Sequence, residues 1–111
     1  MRLNTAIIGL GVVGKRRKQF IEQNKNYKLI AISDIRFKKD FKKRDINYFK
    51  NYKDIFQSNL NIDCVFITLP NYLSAIVTKT ALKKKIHVFC EKPPAKNYKE
   101  LLEIKKFIKK N

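Results

Sequence analysis

The sequence predicts an α/β fold, a doubly wound parallel sheet, on three observations. Short apolar, β-branched runs alternate with longer amphipathic ones; the short runs are apolar throughout rather than at every second residue; and a turn holding all three glycines of the chain joins the first short run to the first long one. Strands with apolar side chains on both sides belong in a parallel sheet covered on both faces. Right-handed crossovers then wind that sheet in both directions from its first strand.

The elements follow in order. Thr5 to Ile8 reads as a buried strand, Val13 to Gln23 as a helix, and Tyr27 to Ser33 as a second strand rich in Leu and Ile. Phe37 to Asp45 is charged and irregular. A short third strand is expected at Ile46 to Phe49 and a brief helix at Tyr52 to Gln57. Cys64 to Thr68 is the strongest strand, a continuous apolar run between Asp63 and Pro70. Leu73, Ile76, Val77, Thr80 and Ala81 fall on one side of the next helix. Ile86 to Cys90 is the fifth strand, stopped by Glu91-Lys92-Pro93-Pro94. A last helix begins at Asn97, with Glu100 at capping-box spacing and Leu101, Ile104 and Ile108 as its apolar stripe. The pattern is cut off after this helix.

With 111 residues the chain has room for one domain. Its formal charge of +17 invites a nucleic-acid reading. Two features argue against a specific one. Of the 26 basic residues only 5 are Arg, the side chain that reads bases bidentately. The lysines are also scattered, and Lys, Asn and Ile fill 45 positions, the skew of an AT-rich coding sequence. A solvated surface is the expectation, with a field that draws in anionic ligands. Cys64 and Cys90 sit in apolar runs without metal-ligand spacing, which suits buried thiols in a reducing cytoplasm. The uncharged stretch Leu3 to Gly14 is too short to cross a bilayer, so no membrane role is expected.

Gly9-Leu10-Gly11-Val12-Val13-Gly14 fits G-x-G-x-x-G between a strand and a helix, the context that gives the motif meaning. Gly9 permits the tight turn, Gly11 lets a diphosphate approach the backbone, and Gly14 lets helix and strand pack closely. Val12 and Val13 open the helix, whose free N–H groups and positive dipole end face the phosphates. Asp34 stands 20 residues after Gly14, at the end of the second strand, where a carboxylate accepts from ribose hydroxyls. It favours NAD over NADP; Arg36, Lys38 and Lys39 offset its repulsion of a 2′-phosphate and keep NADP open. As a bland alternative Asp34 is a helix cap or a turn former.

In such a sheet ligands lie beyond the carboxyl ends of the strands. Thr68, Pro70 and Asn71 end the fourth strand there, and Glu91-Lys92-Pro93 ends the fifth. Lys92 is either a proton or hydrogen-bond donor at the reacting carbon or one more solvated lysine. His87 reads as a core or edge residue rather than a catalyst.

Three segments together resemble the glucose–fructose oxidoreductase, inositol 2-dehydrogenase and MocA-type oxidoreductase family. They are Ala6 to Gly14, Asp63 to Asn71, and His87-Val-Phe-Cys-Glu-Lys-Pro-Pro94, the last carrying the E-K-P signature. The resemblance spans the chain as that family's N-terminal Rossmann-type domain. It implies NAD(P)-dependent hydride transfer at a sugar or cyclitol carbon. Gly9, Gly11, Gly14 and Asp34 would contact the cofactor, Thr68, Pro70, Asn71 and Glu91 would line it, and Lys92 would reach the substrate. The family often has histidine where this chain has Arg17, Tyr72 and Ser74. Its members continue into a second domain that completes the active site, so the chain is expected to be a fragment, a truncated product or half of a split enzyme. Alone it is expected to be an inactive NAD(P)-binding domain, open to oligomer formation; the alternative is a non-catalytic dinucleotide-binding or partner-binding module.

Overall fold

The computed structural model describes residues 2–91, together with 99, 102, 104 and 105. The expectations for Lys92, Pro93 and the start of the Asn97 helix fall outside these residues. Residues 99, 102, 104 and 105 are helical, and Ile104 is buried against Ala75.

The chain runs β1 (Leu3–Ile8), α1 (Val12–Gln23), β2 (Tyr27–Ser33), β3 (Phe41–Lys43), β4 (Ile46–Phe49), α2 (Tyr52–Gln57), β5 (Cys64–Ile67), α3 (Asn71–Lys83) and β6 (His87–Cys90). The strands form one sheet in the order β3-β4-β2-β1-β5-β6. All pairs are parallel except β3 with β4. The chain winds one way from β1 to β2 and β4, and the other way to β5 and β6. The order therefore reverses between β1 and β5.

Side chains from the central strands divide between two cores. Ala6, Ile8, Ala31, Val65 and Ile67 pack with Ile55 and Phe56 of α2 and Val77 and Ala81 of α3. Ile7, Leu29, Ile32, Cys64 and Phe66 pack with Ile21 of α1. A register shift against β1 lets Leu29 and Ala31 face opposite cores although they are two residues apart.

The structure departs from the sequence-based expectations in three places. The segment expected to be irregular contains β3, whose Phe41 stacks on Tyr48 with ring centroids 4.4 Å apart. The turn joining β3 to β4 places Arg44 and Asp45 at φ 52° and 65°, the twist a two-residue hairpin demands, here without glycine. On α3, Ile76 is 53% exposed, while Ser74, Ala75, Val77, Thr78 and Ala81 are buried. Small side chains let the helix lie close to the sheet, so size displaces the bulky Ile76 from the buried side. Lastly, β6 is not covered on both faces by the described residues. His87 and Phe89 are exposed, and Phe89 stacks on Phe66 at 4.6 Å beside α1. His87 is thus an edge residue, as expected.

Candidate functional site

Pairing in the sheet sets the site. Ile8 is level with Ser33 on one side and with Ile67 on the other, and Ile67 is level with Cys90. The next residue in each strand is Gly9, Asp34, Thr68 or Glu91. Four of the sequence-predicted residues therefore form one row along the carboxyl edge. The ladder continues into that row: Gly9 N donates to Ser33 O (2.8 Å), Thr68 N to Ile8 O (2.9 Å) and Glu91 N to Ile67 O (3.1 Å).

The turn from β1 to α1 stands where the strand order reverses, the place where ligands bind in such sheets. Its glycines serve different purposes. Gly9 has φ +96°, and a Cβ there would lie 2.7 Å from Thr68 O. A Cβ on Gly14 would lie 2.1 Å from Gly9 O and 2.9 Å from Thr68 Oγ1. Gly11 is the reverse case: a Cβ there would meet no atom within 4 Å. Two glycines are required by the protein's own packing; the third fronts open space, as a position reserved for close approach by a ligand would.

Gly11 is the N-cap of α1 and offers no side chain, and the first helical turn holds no acidic residue. Val12 and Val13 are exposed there. The helix thus presents bare N–H groups and the positive end of its dipole, with Lys15 and Arg16 exposed one turn on. Thr68 fastens the turn from below: its hydroxyl donates to Gly9 O and, at 3.3 Å, to Ile8 O.

Asp34 is 9% exposed and its carboxylate is filled by four donors. Oδ1 accepts from Arg36 N and Nε, both at 2.9 Å. Oδ2 accepts from Leu10 N and Arg36 Nη2, both at 2.8 Å. Arg36 Nη2 also donates to Leu10 O (2.5 Å). The guanidinium, joined by the backbone N–H groups of Arg36 and Leu10, holds the Asp34 carboxyl far below the usual carboxylate range, against a smaller opposing push from burial. Asp34 is thereby also the turn former of the bland alternative, since its side chain binds the backbone two residues on.

Beside Asp34 lies a cavity of about 570 Å³ walled by Gly9, Ile35, Tyr52, Leu69 and Leu73. Asp34, Asp40, Asp54 and Lys50 also line it, and a mostly apolar cleft of that size with polar groups on its wall suits an adenosine. Pro70 precedes α3 as its N-cap, and Asn71 is its first residue.

Sequence reasoning missed one contact: Glu91 Oε1 accepts from Arg17 Nε at 2.5 Å, tying the end of β6 to α1. The two residues are 74 apart in sequence, and no local pattern joins them. Each cysteine is a free thiol pushed upward in pKa chiefly by burial, which makes a poor nucleophile. Among the described residues no group of His, Cys, Asp and Glu could hold a metal, and no helix is long and apolar enough to cross a membrane.

Known proteins share this fold. The family model described as an oxidoreductase family with an NAD-binding Rossmann fold matches residues 3–111. An uncharacterized oxidoreductase of Bacillus subtilis, YrbE, is 35% identical over 111 residues, covering 96% of this chain and 32% of its own length. The 2,7-anhydro-N-acetylneuraminate hydratase of Escherichia coli is 29% identical over 107 residues, covering 96% and 29%. The crystal structure of myo-inositol 2-dehydrogenase from Lactobacillus plantarum is 28% identical and superposes with a TM-score of 0.82, over 99% of this chain and 34% of the other. This chain thus spans about a third of the length of the relatives it matches. Its fold, its glycine turn and the family match agree: the chain belongs to the glucose–fructose oxidoreductase, inositol dehydrogenase and MocA-type oxidoreductase family, as its NAD-binding Rossmann domain.

Proposed function

We propose that this chain binds a nicotinamide dinucleotide along the carboxyl edge of its sheet, as the cofactor half of an oxidoreductase acting on a sugar-like hydroxyl or carbonyl. The carrying observation is Gly11, where a Cβ would meet nothing, at the uncapped N-terminus of α1. The diphosphate would lie over Gly11, Val12 and Val13, and the adenosine in the cleft beside Asp34. Thr68, Pro70, Asn71 and Glu91 would line the path toward the nicotinamide. NAD is the favoured form, because the ribose hydroxyls suit Asp34. When bound, the nicotinamide supplies the hydride acceptor or donor. Lys92, next after Glu91, would serve the substrate side. We assign substrate choice and the remaining catalytic groups to a further domain, on this or another polypeptide, and expect no turnover from residues 1–111 alone. Free thiols fit a reducing cytoplasm.

Titration calorimetry with NADH tests the reading. A folded sample should bind with a dissociation constant in the micromolar to low millimolar range. Absence of binding at millimolar NADH overturns it.

A further inference from the structure

We propose that Arg36 competes with the adenosine ribose for Asp34, and so gives this site a usable affinity for the 2′-phosphorylated dinucleotide beside the unphosphorylated one. The inference rests on the dinucleotide reading above and concerns how its sugar end is chosen.

A carboxylate offers about four lone-pair positions. Those of Asp34 already take Arg36 N, Arg36 Nε, Arg36 Nη2 and Leu10 N. A ribose that brings two hydroxyls to Asp34 must displace some of these donors. Two are backbone N–H groups fixed by the turns at the ends of β1 and β2. Only the guanidinium can leave, and its side chain is 64% exposed. Binding the unphosphorylated ribose therefore breaks a bidentate, charge-assisted pair, among the stronger contacts a protein surface forms.

A 2′-phosphate meets a different situation. The Asp34 charge is answered within the protein, so repulsion is weakened at its source. Arg36 uses Nε and Nη2 in its contacts with Asp34 and Leu10; Nη1 takes part in none of them. A guanidinium carries five N–H donors in a planar fork, so Nη1 can receive a phosphate oxygen while the pair stays intact. Lys38 and Lys39, both exposed two and three residues on, add positive potential. NADP thus gains a partner where NAD must first remove one, and the preference set by Asp34 is narrowed.

Calorimetric dissociation constants for NADH and NADPH on the wild-type chain, R36A and R36K test this. The wild type should bind the two within about tenfold of each other. R36A should weaken NADPH at least tenfold and leave NADH unchanged or tighter. R36K, which keeps the charge without the fork, should fall between. Equal weakening of both cofactors in R36A and R36K would show that Arg36 only positions Asp34, and would overturn the proposal. So would a wild type that rejects NADPH by more than a hundredfold. A wild type that binds neither cofactor defeats the dinucleotide reading itself.

Discussion

The two corners of the carboxyl edge are built in opposite ways. At the end of β1 the chain removes side chains: Gly9, Gly11 and Gly14 leave backbone against backbone, with open space at one position. At the end of β2 it does the reverse. There Asp34 and Arg36 saturate one another and tie themselves to Leu10 on both its N–H and its carbonyl. The first corner admits a ligand without rearrangement. The second is satisfied by its own atoms and must be opened. Affinity for a dinucleotide should therefore arise mainly at the first corner, and selectivity at the second.

The largest effect expected from breaking the first corner is on the fold. In G14A the added methyl carbon would sit 2.1 Å from Gly9 O, so helix and strand must part. A loss of about 3 kcal/mol, the upper range for overpacking, is expected. It would lower the melting temperature by more than about 10 °C. An unchanged melt would show that α1 can shift at little cost.

G11A sharpens the contrast, because the same substitution three residues earlier meets no protein atom. Stability should stay within about 1 kcal/mol, the scale of an N-cap change. NADH affinity should fall at least tenfold, about 1.4 kcal/mol. Equal affinity for wild type and G11A would remove Gly11 from the site.

The smallest effect is at the second corner and depends on pH. Asp34 titrates well below its unfolded value, so its contribution is complete above the ordinary carboxylate pKa of about 3.9 and fades as pH falls below it. Melting temperatures from pH 7 to pH 3 should drop more steeply for the wild type than for D34N. Parallel curves would mean that the Asp34–Arg36 pair adds nothing to stability.

Much of this architecture could be read from residue order, because apolar runs and glycine spacing are local signals. β2, β4 and α2 lie where the sequence predicts them, and the residues at the strand ends meet along one edge. The failures have physical reasons. β3 comprises Phe41, Lys42 and Lys43, all exposed, and its pairing depends on Tyr48 and on a turn without glycine. Ile76 was misplaced because periodicity weighs hydrophobicity and not the size limit of a close helix–sheet contact. The filled carboxylate of Asp34 was invisible, since spacing indicates a residue's place and not which donors reach it first. The Arg17–Glu91 tie joins α1 to the end of β6, and only three-dimensional packing creates it.

The level row of Gly9, Asp34, Thr68 and Glu91 has one more consequence. Each follows the last paired residue of its strand, so hydrogen-bonded rungs act as a ruler and the connecting loops do not. Segments leaving that row can lengthen, shorten or change sequence without altering the spacing between its members. A single residue inserted within a strand would instead shift its marker off the line. Evolution can therefore redraw what lies above the edge while the platform beneath it keeps its dimensions.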